Sequence, residues 1–185
     1  MINAGAIVTT SLIKGKNLQE KEERMLAFFR KLAKNDTLEI NQSVYKSEKL
    51  TGDRNRAMGY LLKNDGFIEG DVEEVLDLYF KQCSIEVDVV DLARIALLFA
   101  NYGVDIETGE RVISENISRI VKTFMVTCGM CDASGEFALK VGIPAKSGVG
   151  GGIMASVPRR MGIGVFGPAL DKKGNSIGGL KVLED

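Results

Sequence analysis

Lys146, Ser147 and Gly148 set a basic side chain, a hydroxyl and a glycine in succession, and Val149-Gly150-Gly151-Gly152-Ile153 follow them. Glycine inside a strand loses entropy and packs nothing, so its natural use there is to let a ligand or another backbone come close. Amide N–H groups left open beside an ammonium suit a carboxylate or a developing oxyanion. A plain glycine-rich turn between two strands uses the same residues, and the composition leaves both readings open. Ser-x-x-Lys occurs as Ser11-Leu12-Ile13-Lys14 and as Ser43-Val44-Tyr45-Lys46. On a helix that spacing puts hydroxyl and amine on one face, although so short a pattern also arises by chance. Cys128-Gly129-Met130-Cys131 has the spacing of a redox or zinc pair. With no second pair, a zinc site lacks ligands.

Composition narrows the chemistry further. Histidine is absent from the 185 residues. That removes Ser-His-Asp and Cys-His catalysis from them and leaves acid–base work to Lys, Tyr, Cys, Glu or Asp. Neither a metal nor a cofactor is expected. The 24 basic and 25 acidic residues argue against nucleic acid or an anionic membrane as partner. No apolar run approaches the ~20 residues of a membrane span, and no signal-peptide pattern opens the sequence. Cys83, Cys128 and Cys131, an odd number of cysteines, point to reduced thiols and a cytoplasmic protein. A chain of this length can bury a proper core as one domain.

The elements that must position these groups are mostly helical. Residues 1 to 13 are apolar and small and read as a buried helix, with Asn3 needing a partner if buried. Asn17 with Glu20 resembles a capping box before an amphipathic helix over 18 to 34. Shorter helices follow over 42 to 50 and 53 to 64, and Asp71 caps another running to about 82. Residues 84 to 100 are strongly apolar and are the expected central helix. Ser114 opens a helix to about 127, and Asp132 one to about 140. Only after Gly142 does the period become that of strands, over 149 to 157 and 161 to 166, joined by Pro158-Arg159-Arg160. Lys173-Gly174-Asn175 turns into a last short element. Two strands make a marginal sheet, so further strands are expected from another chain or, preferentially, from residues before Met1.

Taken in order, Met1-Ile-Asn-Ala-Gly-Ala-Ile7, Tyr45-Lys-Ser-Glu48, Gly52-Asp-Arg-Asn-Arg56, Tyr79-Phe-Lys-Gln-Cys-Ser84, Cys128-Gly-Met130 and Ala145-Lys-Ser-Gly-Val-Gly-Gly-Gly-Ile153 resemble the glutaminases of the serine-dependent β-lactamase-like fold. The resemblance runs the whole length of the sequence. It implies an α+β fold of the β-lactamase and transpeptidase type. A mainly helical lobe over 1–127 is followed, over 128–185, by a helix, antiparallel strands and a terminal element, all in a single domain.

The implied activity is hydrolysis of L-glutamine to L-glutamate and ammonia through a serine acyl-enzyme, in a homo-oligomer, dimer or tetramer. Asn3, Glu48, Asn55 and Tyr79 match substrate-binding positions of the family. Val149 matches a residue whose backbone N–H faces the oxyanion. Lys146-Ser147-Gly148 parallels the Lys-Thr-Gly strand of penicillin-recognising enzymes and supports that site. Two departures accompany the resemblance. The family's Ser-x-x-Lys precedes the Asn-Ala-Gly-Ala-Ile segment, so the nucleophile is expected upstream of Met1, the sequence then being a C-terminal portion. Cys131 stands where the family has a tyrosine that shares in proton handling beside the nucleophile. The resulting alternative is a non-catalytic remnant that serves as an oligomerisation or partner-binding module.

Overall fold

The computed structural model describes residues 3–185. Met1 and Ile2, on which the expected N-terminal helix and the resemblance begin, lie outside the described residues. Two compact units are present: residues up to 31 with 35–86, and 32–34 with 87–185.

The first unit is helical: α1 (Asn3–Ser11), α2 (Leu18–Ala33, its last two residues grouping with the second unit), α3 (Gln42–Thr51), α4 (Asp53–Asn64) and α5 (Val72–Cys83). The punctuation read from the sequence forms these starts. The Asn17 side chain accepts from the Glu20 amide at 2.9 Å. Asp71 accepts from the amide of Glu73, and Asn41, which the sequence reading does not mark as a cap, accepts from those of Ser43 and Val44. Such caps satisfy donors that a helix start otherwise leaves open. The core gathers Ile7 of α1, Ile68, and Val72, Val75, Leu76, Tyr79 and Phe80 of α5. Two glycines let the helices meet. A Cβ on Gly52 would lie 2.5 Å from the Phe80 ring, and one on Gly59 2.9 Å from Val72.

The second unit holds α6 (Val89–Ala100), α7 (Glu115–Cys128), a 3-10 turn (Cys131–Ala133), α8 (Ser134–Lys140), β1 (Ala145–Ser147), β2 (Gly152–Val157), β3 (Met161–Phe166) and α9 (Ile177–Glu184). Among the described residues the sheet has three antiparallel strands in the order β1-β2-β3. Ile153 stands opposite Val165, and Ala155 opposite Ile163. Those residues share one face with Met130, Phe137, Leu180 and Leu183. The residues between them face the other way, as the two-residue period of a strand requires. There Gly162 and Gly164 meet α6 with nothing in between: an added Cβ would fall 2.1 Å from the Ala93 and Val89 carbonyl oxygens, respectively.

Several expectations shift. The helix expected over 84–100 starts only at Val89. Asp88 caps it in a reciprocal box with Asp91, while the Ser84 amide bonds Lys81 at the end of α5. Helices α6 and α7, counted with the helical lobe on the sequence, group with the strands. The side-chain-free contact of α6 with Gly162 and Gly164 accounts for that in α6. The strand expected from 149 begins at Gly152, because residues 148–151 turn. Residues 145–147 form a strand that apolar periodicity does not mark.

Candidate functional site

In the first unit, α1, α3, α4 and α5 carry Asn3, Glu48, Asn55 and Tyr79, one each. Asn3 is exposed, yet its Nδ2 donates to Asn55 Oδ1 at 2.9 Å. Two carboxamides so joined each keep hydrogen-bonding capacity for a third group. Glu48 is half-buried on α3, and its own carbonyl oxygen lies 2.8 Å from where a Gly52 Cβ would be. The tight α3–α4 corner thus places Glu48 and Asn55 on successive helices. Tyr79 is 6% exposed. Burial pushes its phenol well above the ordinary tyrosine value, and the Cys83 thiol one turn on and the Glu48 carboxylate push the same way. Its hydroxyl is therefore a proton donor throughout the neutral range. Desolvation also pushes the Cys83 thiol up, the hydrogen bond with Tyr79 opposes this and Glu48 adds to it. Cys83 is exposed as a residue, so the desolvation is local to the thiol that meets Tyr79. Sequence reasoning passed over Cys83, although its place four residues after Tyr79 on a helix was the available signal.

A charged network holds α3 to α5 beside these residues. The Asp77 carboxylate accepts from Tyr45 and Lys49, each at 2.5 Å, and pairs with Lys81 at 2.9 Å. Lys81 pairs in turn with Glu22 at 2.8 Å. Burial raises the Asp77 carboxyl, but the bonds from Lys49, Tyr45 and Lys81 outweigh it and hold the group below the ordinary carboxylate value. A hollow of about 300 Å³ beside this network is lined by Lys49, Arg56, Asp71, Glu73, Asp77 and Phe80, among others. None of Asn3, Glu48, Asn55 or Tyr79 lines it.

In the second unit the Lys146-Ser147-Gly148 strand leads into a turn. Lys146 is exposed and its ammonium folds back on the Ser147 carbonyl. Ser147 is buried, and its amide donates to the Gly129 carbonyl at 3.1 Å. Gly129 must lack a side chain, since a Cβ would lie 1.9 Å from the Ala145 oxygen. The turn is closed by the Gly148 amide on Gly152 oxygen and the Gly151 amide on Gly148 oxygen, both 2.9 Å. Gly151 has φ +96°, and a Cβ there would meet the Gly167 oxygen at 2.6 Å. Val149 sits at the tip, 84% exposed. The amides of Val149 and Gly150 are not among the turn's own donors. The glycine run is thus a turn between strands.

Cys131 is exposed and takes a left-handed backbone, φ +52°. The turn that carries it is gripped on every side. Ser147 holds Gly129, Ser134 Oγ accepts from the Met130 amide at 3.1 Å and donates to the Cys131 oxygen at 2.8 Å, and Asn175 Nδ2 donates to the Met130 oxygen at 3.3 Å. Ser134 and Asn175 escaped the sequence reading. Asn175 was visible there only as part of a turn.

The Ser-x-x-Lys motifs place differently. Helix α1 ends at Ser11, whose hydroxyl donates to the Val8 oxygen at 2.7 Å, so Lys14 shares no helix face with it. Ser43 and Lys46 are both exposed on α3.

The family pattern described as Glutaminase matches residues 1–185. The glutaminase of Clostridioides difficile (strain 630) is 80% identical over 185 residues, which are all of this chain and 60% of that protein. Glutaminase 2 of Clostridium perfringens (strain 13 / Type A) is 63% identical over the same span, 61% of its length. Among solved structures, the Bacillus subtilis glutaminase YbgJ in covalent complex with 5-oxo-L-norleucine, formed by reaction with 6-diazo-5-oxo-L-norleucine, superposes with a TM-score of 0.95. That match has 42% identity and covers 99% of this chain and 65% of the other. The chain thus spans about three-fifths of the length of the curated relatives it matches.

Proposed function

The chain belongs to the glutaminase family, and from that premise we propose that it forms the substrate-holding and oxyanion-supplying part of an L-glutamine amidohydrolase. The observation that carries this reading is the bonded Asn3–Asn55 pair in the first unit, joined there by half-buried Glu48 on α3 and buried Tyr79 on α5. L-Glutamine offers an ammonium, a carboxylate and a side-chain amide. Glu48 takes the ammonium, because a carboxylate makes charge-assisted bonds to it. Asn3, Asn55 and Tyr79 supply amide and hydroxyl bonds to the rest. The Val149 amide, outside the bonds of its own turn, donates to the oxyanion that forms when the side-chain amide is attacked. Lys146 and Ser147 hold that turn's strand. The trapped Bacillus relative supports the reaction type, since 5-oxo-L-norleucine carries its ketone where glutamine carries its amide carbonyl.

The nucleophile is assigned to neither Ser-x-x-Lys motif of the 185 residues, since Lys14 lies past the end of α1 and Ser43 and Lys46 are both exposed on α3. Cys131 occupies the position of the family tyrosine. A cytoplasmic homo-oligomer is the assembly we infer, from the reduced cysteines and from an apolar stripe along α7, where Ile117, Ile120 and Phe124 are each more than two-fifths exposed.

Ammonia release from L-glutamine tests the reading. The 185 residues alone are expected to show none. A chain extended upstream through its Ser-x-x-Lys is expected to turn over at a rate typical of enzymes, on the order of 1 per second or above. Turnover by the shorter chain would reject the assignment of the nucleophile. The α7 stripe also favours a second reading, a non-catalytic module that assembles through that helix. An extended chain that forms oligomers but releases no ammonia would establish it.

A further inference from the structure

We propose that Cys128 and Cys131 form a reversible dithiol–disulfide site, closed by low-molecular-weight disulfides. Both thiols are free in this structure, Cys131 exposed and Cys128 half-buried. The residues between them have φ,ψ of −66°, −29° at Gly129 and −101°, 23° at Met130. Those are close to the two central positions of a type I turn, which brings its first and fourth Cα atoms within ~7 Å. A disulfide spans Cα separations of about 4.4 to 6.8 Å. The left-handed Cys131 leaves the helix path at this point, so the second thiol is not bound to the spacing of a continuing α-helix.

The turn is also held in place before any bond forms. Ser147, Ser134 and Asn175 fix the Gly129 oxygen, the Met130 amide, the Met130 oxygen and the Cys131 oxygen. A preorganised turn loses little further freedom on closure, which favours the intramolecular bond over two separate adducts. Cys83, on α5, is the internal comparison.

The reaction balances without a cofactor. The exposed Cys131 thiolate attacks one sulfur of a small disulfide and releases the first small thiol. The Cys128 thiolate then attacks the Cys131 sulfur and releases the second. Two protein thiols lose two electrons and two protons in total, and one small disulfide becomes two thiols.

The test is equilibration of the chain with glutathione and glutathione disulfide, acid quenching, alkylation of remaining thiols and tryptic mass mapping. Residues 123–140 form one peptide with both cysteines, and residues 82–94 another with Cys83. Oxidation is expected to remove two hydrogens from 123–140 and leave Cys83 alkylated. Cys128→Ser is expected to stop at a glutathione adduct on Cys131. Half-closure in the native chain is expected at a disulfide-to-thiol ratio about tenfold lower than in urea, where the turn is not held. Separate adducts on both cysteines, a crosslink to Cys83, unreacted thiols, or equal ratios in native and urea samples would each overturn the proposal.

Discussion

Glu48 is half-buried on α3 and its charge reaches the Tyr79 hydroxyl, whereas Lys46, two residues earlier, is exposed. That contrast sets a prediction for an extended, active chain. Glu48→Gln keeps the shape and removes the charge that faces the substrate ammonium. It is expected to cost about 2 to 4 kcal/mol of transition-state binding, or ~30- to 1000-fold in kcat/KM. Lys46→Gln should cost little, since exposed charges contribute little. Equal small losses for both would remove Glu48 from the site. Lys49 is no control, because it bonds Asp77 at 2.5 Å. At this scale the site was legible only through ordered motifs. A lone glutamate or asparagine on a helix looks like any solvated residue, and the Asn3–Asn55 bond joins positions 52 residues apart. No local signal on the sequence pairs them. The grip of Ser147 on Gly129, between residues 18 apart, was illegible for the same reason.

Helices were the most readable elements, because caps and apolar spacing are local. Asn17, Asn41, Asp71 and Ser114 cap the helices that follow them. The exception, the start of α6, arose where an apolar run crosses a boundary: Ile85 pairs across a bridge with Ile40 instead of joining the helix. The placement of α3 on α5 rests on charges that sequence spacing does not reveal, and those charges make it pH-dependent. The folded Asp77 carboxyl lies below its ordinary value near 3.8. Its contribution to stability is therefore full above the unfolded value and is lost as pH falls through the depressed folded one. Comparing urea midpoints of the chain with those of Asp77→Asn should show a gap that is constant from neutral pH to about pH 5 and closes in more acid solution. A gap that persists undiminished at the acid end would mean that the carboxylate charge does not hold the helices.

For the whole molecule, the apolar stripe of α7 and the outer strand β3 are surfaces suited to a further chain, whereas the outer edge of β1 is bonded to Gly129. Ile117, Ile120 and Phe124 lie outward, while Ser118, Lys122 and Met125 of the same helix are buried. Exposed strand edges and apolar stripes promote pairing with further chains. The 185 residues are expected to self-associate in light scattering, more than an extended chain does. A clean monomer at high concentration would remove both the stripe and the β3 edge as interfaces. Sequence periodicity marks α7 as amphipathic but cannot say which face turns inward, since Lys122 is buried with its ammonium 3.5 Å from the Tyr102 ring centroid.

The meeting of α6 with Gly162 and Gly164 has a consequence for time rather than for shape. Where backbone rests on backbone, no rotamer can swing aside to admit water, and opening requires the strand and helix to separate together. Amide hydrogens over 161–166 and 93–97 are expected to exchange with deuterium last and at a common rate. Gly162→Ala, whose new methyl would fall 2.1 Å from the Ala93 oxygen and the Leu97 nitrogen, should release both sets to solvent at once.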